Sequence, residues 1–241
     1  MLKQKKIPPI DGVEKYIKGK KEIFDVGTGP EGSVWWEKID KDANITGIDL
    51  YFFPKKVPKK VKIYKMDASK LGSIEKVLGL EQIFPRPLIF KNQPIDWLNR
   101  FDMIIANHIL EHVDSPEQVI KGMSKMMKKG GLVYAGFPES TNFTDIFYHL
   151  VHPNSGGHIQ LLTKDSVIAM FKKEGFKLVS CKVWPDDWGW LRTQYNWKSY
   201  MWPENKYLIQ EKIDYLCDTF VKELTPEKGY FYGWEMVFEK N

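Results

Sequence analysis

Cysteine is nearly absent. Cys181 and Cys217 are the only two in 241 residues, and their spacing suits neither a disulfide framework nor a metal knot. Both thiols are expected to be reduced, in a cytoplasmic protein. Long apolar runs are missing as well: none approaches the ~20 residues a membrane helix needs. The lysine-rich segment Met1 to Pro9 lacks the apolar stretch of a secretory leader. Repeats and low-complexity segments are absent. Charge is only mildly unbalanced, at +5, with Lys55-Lys56 and Lys59-Lys60 contributing. Basic and aromatic residues do not interleave in a stripe, which argues for a solvated surface and against a nucleic-acid partner. With 43% hydrophobic and 28% charged residues the chain has the makings of one globular core.

What is present is an alternation of strand-like and helix-like segments, the pattern of a parallel α/β sheet. Strands are expected at 22–26, 44–49, 61–65, 101–106 and 132–137, with 177–183 and 231–238 as an antiparallel pair at the sheet edge. A helix is expected over 33–39 with Ser33 as N-cap. A second opens at Ser115-Pro116-Glu117, carries Val119, Ile120, Met123 and Met126 on one face, and stops at Gly130-Gly131. A third starts at Thr163-Lys164-Asp165 and ends near Gly175. Residues 1–241 are read as a single domain. Three segments break the rhythm, at about 71–100, 139–162 and 185–229, and are expected to form a cap over the substrate. In open α/β sheets ligands sit beyond the carboxyl ends of the strands.

The clearest site signal is Asp25-Val26-Gly27-Thr28-Gly29-Pro30-Glu31-Gly32 at a strand-to-helix turn. Glycines there let the backbone approach a ligand closely. Gly27, Gly29 and Gly32 also fit a dinucleotide fingerprint, and Asp49 suits a ribose in either reading. Asp25 tilts the choice. A carboxylate beside this loop would repel a pyrophosphate and welcome a cation, such as the ammonium and sulfonium of S-adenosylmethionine (SAM). A dehydrogenase would also need a hydride-handling site. Tyr16 and Lys20 have suitable spacing but precede the loop, in a short basic segment.

Downstream, Asp49 ends Thr46-Gly47-Ile48-Asp49-Leu50, and Asp67 follows in Lys65-Met66-Asp67-Ala68. Next come Asn107-His108-Ile109-Leu110-Glu111-His112-Val113 and then Gly130-Gly131-Leu132. From about residue 22 to 183 this series resembles the class I SAM-dependent methyltransferases, in particular the small-molecule group related to quinone-biosynthesis enzymes. The resemblance implies a Rossmann-like, mostly parallel seven-stranded sheet flanked by helices, with an antiparallel edge strand. It implies SAM as cofactor. Asp25, Gly27 and Gly29 would hold its amino acid part. Asp49 would accept the ribose hydroxyls, and Leu50 would pack on the adenine. Asp67 with Ala68 would meet the adenine amino group, and Asn107 and His108 would line the methionine end. One departure is Glu31, where the family usually has its third glycine; Gly32 stands one place later. For Asp67, a helix cap is the competing reading.

His108-Ile109-Leu110-Glu111-His112 also fits the zinc-peptidase pattern H-x-x-E-H. That chemistry needs a regular helix, and the helix signal comes only at Ser115, so no catalytic metal is expected. Among acidic residues, Asp145, Asp186 and Asp187 keep the question of a metal open. Methyl transfer to a hydroxyl or amine benefits from a base near neutrality, a role that suits histidine. His158, preceded by two glycines, is the first candidate, with His112 and His152 next; capping of turns is the plainer role for all three. The Trp184 to Trp190 cluster suits core or homodimer packing, or stacking on an acceptor ring. The expected reaction is O-methylation of a sugar-like or other polar hydroxyl small molecule. Quinone C-methylation and amine N-methylation stay open, and the alternatives of another class are a NAD-binding oxidoreductase and a non-catalytic SAM-binding module.

Overall fold

The computed structural model describes residues 13–29, 32–51, 54, 57–77, 80–84, 88–89, 96–142, 145–146, 149, 157–184, 215 and 231–241. Within these, all seven expected strands form. They are β1 (Glu22–Val26), β2 (Asn44–Asp49), β3 (Val61–Lys65), β6 (Phe101–Asn107), β7 (Met127–Pro138), β8 (Phe176–Trp184) and β9 (Gly233–Lys240). Two more, β4 (Glu81–Phe84) and β5 (Leu88–Ile89), bring the sheet to nine strands in the order β5-β4-β3-β2-β1-β6-β7-β9-β8. The additions lie inside 71–100, so the described part of that segment widens the sheet beyond β3, with β4 antiparallel to β3 and β5 antiparallel to β4. Short strands that carry little alternation leave no period-2 signal to read.

β1, β2, β3, β6 and β7 are mutually parallel, whereas β9 runs antiparallel between β7 and β8. Both faces of the parallel part are covered, which is why these strands are nearly continuous apolar runs. Successive residues split between two cores. Phe24 and Val26 of β1, with Ile104 and Ala106 of β6, join Val119, Ile120, Met123 and Met126 on one face. Ile23, Met103 and Ile105 join Trp35, Trp36 and Ile17 on the other.

Helices α1 (Glu14–Ile17), α2 (Pro116–Met126) and α3 (Lys164–Lys173) flank the sheet. Ser115 caps α2 by accepting from Gln118 N, with Pro116 in the first turn. Thr163 and Ser166 form a capping box at α3. Two expectations are corrected. Residues 33–39 make only a 3-10 turn, Val34–Glu37: Ser33 makes no side-chain cap, and its hydroxyl donates to Asp25. α2 ends at Met126, ahead of Gly130-Gly131. Its last carbonyls accept from Asn99 N (Lys125 O, 3.0 Å) and Arg100 N (Met126 O, 2.9 Å), and the chain passes directly into β7. No helix among the described residues is long and apolar enough to cross a membrane. Most of 185–229, with the remainder of the tryptophan cluster beyond Trp184, lies outside the described residues, as does His152.

Phe171 of α3 is fully buried and stacks on Phe238 of β9 with ring centroids 3.9 Å apart. It is the main apolar anchor of that helix. Phe171→Ala should destabilise the protein by about 3–5 kcal/mol, read as a lower urea midpoint with an unchanged slope.

Candidate functional site

The strand order reverses at β1. β2 and β3 follow on one side, β6 and β7 on the other. A crevice opens at such a switch point, beyond the carboxyl ends of the strands. Val26 stands opposite both Ile48 and Ala106, so Gly27, Asp49 and Asn107 follow at nearly the same level.

Gly27 and Gly29 have φ of +76° and +69°. That left-handed conformation explains glycine at both positions. The Ile109 side chain lies against Gly27, whereas the space beside Gly29 is open. The loop is tied to β2 three times: Gly27 N and Thr28 N both donate to Ile48 O, and Gly29 N donates to Asp49 Oδ2 at 2.9 Å. The other Asp49 oxygen accepts from Tyr51 N. Asp49 is 9% exposed, so its carboxylate is held at the crevice wall by backbone donors. Two polar atoms of residues that follow β1 and end β6, Thr28 Oγ1 and Asn107 Oδ1, are buried with no hydrogen-bond partner among the described residues. Buried polar atoms of this kind call for a partner that a ligand can supply.

Asp25 sits deeper. Its Oδ2 accepts from Ser33 Oγ (2.6 Å) and Trp36 Nε1 (2.8 Å), so it fastens the return of the glycine loop. Burial pushes its carboxyl up to about 7, helped by the nearby Asp49, against the pull of the two hydrogen bonds. Gly32, at φ +75°, packs so close to the Trp36 ring that a side chain there would clash. After β3, Met66 N donates to Asp49 O and brings Asp67 and Ala68 beside the end of β2. Asp67 Oδ1 accepts from Ser69 N and caps the 3-10 helix Ala68–Lys76, with Ala68 buried. Leu50 is half-buried at the bend after β2.

On the β6 side, His108 adopts φ +53°, a strained value for a residue with a side chain. Its Nδ1 lies 2.8 Å from Glu111 Oε1, and its ring packs against Trp184 and Tyr232. Leu110–His112 is a single 3-10 turn, so His108 and His112 do not share the helical face that the zinc pattern requires. Glu111 was missed in the sequence as a site residue, although H-x-x-E-H contained it. It is completely buried. Burial alone would raise its carboxyl, but the His108 imidazole, with His112 and His158 adding, holds it below the ordinary range.

The segment 157–162 folds back over this turn. Ile159 N and Gln160 N both donate to Glu111 O, and Gly157 O accepts from His112 Nδ1 at 2.9 Å. His158 is thereby buried next to His112, ring centroids 4.8 Å apart, with its Nδ1 3.1 Å from Asp145 Oδ1. Asp145 in turn faces His149 Nε2 at 3.3 Å. Thus two of the three expected base candidates, His158 and His112, come together.

The raised Asp25 carboxyl has a consequence for stability. A neutral Asp25 is favoured in the fold, so its contribution is complete below pH 3.8 and is lost as pH climbs towards 7. The loss should be on the order of 4 kcal/mol in urea melts across that window, and Asp25→Asn should flatten it.

A family model described as a methyltransferase domain matches residues 4–181. Among curated relatives, the ubiquinone biosynthesis O-methyltransferase of Colwellia psychrerythraea (strain 34H) is 30% identical over 114 residues, which are 47% of this chain and 40% of that protein. The enzyme of the same name from Chromobacterium violaceum is 29% identical over 128 residues, 52% of this chain and 48% of that one. The matches thus span less than half the length of these relatives. A SAM-dependent methyltransferase from Archaeoglobus fulgidus superposes with a TM-score of 0.57 at 16% identity, covering 94% of this chain and 89% of its own. Haemonchus contortus phosphoethanolamine N-methyltransferase 2, solved with S-adenosyl-L-methionine, gives 0.54 at 13% identity, covering 95% and 51%. These two similarities concern the fold. By the match of its family model over most of its length, this chain belongs to the methyltransferase domain family.

Proposed function

We propose that the protein transfers the methyl group of SAM to a hydroxyl oxygen of a polar small molecule, sugar-like in character. The observation that carries this reading is the Asp49 carboxylate. It is fixed beside the glycine loop at the strand switch point and held by the Gly29 and Tyr51 backbone. A pair of ribose hydroxyls is the natural partner of such a group. Kinship to proteins named O-methyltransferases supports oxygen as the acceptor atom.

The residues present fit SAM. Thr28, in the glycine loop, and Asn107, at the end of β6, carry buried side-chain oxygens with no hydrogen-bond partner among the described residues. Gly27 and Gly29 let its amino acid part lie against the backbone, Asp25 secures the return of that loop through Ser33 and Trp36, and the Asp49 carboxylate supplies negative potential for a ligand with a sulfonium and an ammonium. Leu50, Asp67 and Ala68 would meet the adenine, and His108 with Asn107 the methionine end. When bound, SAM supplies an electrophilic methyl group. The protein's task is then to align the acceptor, exclude water and take up a proton. His158 is the base in this reading. With its Nδ1 turned to the Asp145 carboxylate, the imidazole keeps its proton there and presents a lone pair on Nε2. His112 is the second candidate.

Calorimetric titration with S-adenosylhomocysteine tests the cofactor, with NAD as the control. Wild type should bind it and not NAD, and Asp49→Ala should weaken binding at least ~10-fold. Binding of NAD alone would overturn the reading. With a hydroxyl acceptor found by screening radiolabelled methyl transfer, His158→Ala should lower turnover ~10²–10⁴-fold and leave S-adenosylhomocysteine affinity unchanged.

A further inference from the structure

The geometry points to a binding site for a divalent first-row transition metal ion formed by Glu111, His112 and His158. It is independent of the methyl-transfer reading, since it is built from side chains that meet whether or not SAM is bound. One donor atom from each of the three lies within 4.8 Å of the others. The H-x-x-E-H spacing suggests His108 and His112 as the histidine pair. In the fold His108 turns to Glu111 Oε1, and the second imidazole comes from His158, far along the chain.

Three independent features make this more than a chance cluster. First, Glu111 Oε2 is fully buried and has no hydrogen-bond partner among the described residues. A buried carboxylate oxygen without a donor is costly, and a cation removes that cost. Second, both imidazoles are held in the tautomer that a ligand needs. The Gly157 carbonyl can only accept, so the His112 proton is on Nδ1 and its lone pair on Nε2. The Asp145 carboxylate imposes the same arrangement on His158. A carbonyl or carboxylate behind the ring is the usual outer partner of a metal-bound histidine. Third, the two segments are pinned together by Ile159 N and Gln160 N on the Glu111 carbonyl, so the donors are preorganised.

His112 is exposed whereas Glu111 and His158 are buried, which leaves one open side for entry and for a non-protein ligand. Two imidazoles and one carboxylate favour zinc, iron(II) or cobalt(II) over magnesium or calcium. An ion there occupies the lone pairs of His112 and His158. Metal binding and proton uptake by these histidines therefore exclude one another, and loading determines which of the two they perform.

The test is calorimetric titration of the chelator-stripped full chain with Zn²⁺, repeated with Co²⁺ and read by visible absorption. Wild type should bind one Zn²⁺, and excess Mg²⁺ should not displace it. His112→Ala and Glu111→Gln should each weaken Zn²⁺ binding at least ~10-fold, and Asp145→Asn by ~10–100-fold. His149→Ala should leave it unchanged, which separates this site from the neighbouring trio Asp145, His149 and His158. Wild type should show Co²⁺ d–d bands that His112→Ala lacks. S-adenosylhomocysteine binding, measured on the same His112→Ala sample, should be retained and confirms that this exposed substitution leaves the fold intact. Zn²⁺ binding by wild type no tighter than by His112→Ala would overturn the site, as would its loss in His149→Ala.

Discussion

The parallel register of β1 between β2 and β6 is the constraint on which the rest of the molecule depends. Val26 faces Ile48 on one side and Ala106 on the other. Everything that follows those three residues emerges at one edge: the glycine loop, Asp49, and Asn107 with the histidine turn. Parallel pairing also requires both faces of the sheet to be covered. The two apolar cores meet that requirement, one through α2 and α3 and one through Trp35, Trp36 and α1. A slip of one residue in β1 would exchange the two faces and carry Asp25 out of reach of Ser33 and Trp36.

Buried acid is the second theme. Asp25, Asp49, Glu111, Glu139 and Asp145 are all buried, and no lysine or arginine is among the buried residues described. Each carboxyl is held by neutral donors or imidazoles. Ser33 and Trp36 serve Asp25, backbone N–H groups serve Asp49, and Trp234 Nε1 with Lys164 N serves Glu139. At the crevice the Asp49 carboxylate is held by neutral backbone donors, which leave its negative potential in place. That suits a cationic ligand at the glycine loop.

The two chemical regions are linked through one short stretch. Asn107 ends β6 at the crevice, His108 turns through a left-handed conformation, and Glu111 and His112 follow within a single 3-10 turn. The strain at His108 is offset by its bond to Glu111 and its packing on Trp184 and Tyr232. The proposed methyl-donor site and the histidine cluster thus share consecutive residues of one loop.

Local sequence decided the seven principal strands, the α2 and α3 caps at Ser115 and Thr163, the apolar face of α2, and the glycine loop with Asp49. In each case the cause is local: strand periodicity, a capping hydroxyl, or the backbone freedom of glycine. Tertiary structure decided where hydroxyls and imidazoles are used when several partners compete. Ser33 offers a capping hydroxyl, yet it makes no cap and its proton goes to Asp25. α2 stops at Met126 because residues 99 and 100 supply donors to its last carbonyls. H-x-x-E-H proposes a pair four residues apart, yet His112 meets His158 across 46 positions of chain because Gly157, Ile159 and Gln160 bond the turn that carries it. A residue's identity shows which bonds it is able to make, and only the folded chain selects which partner arrives.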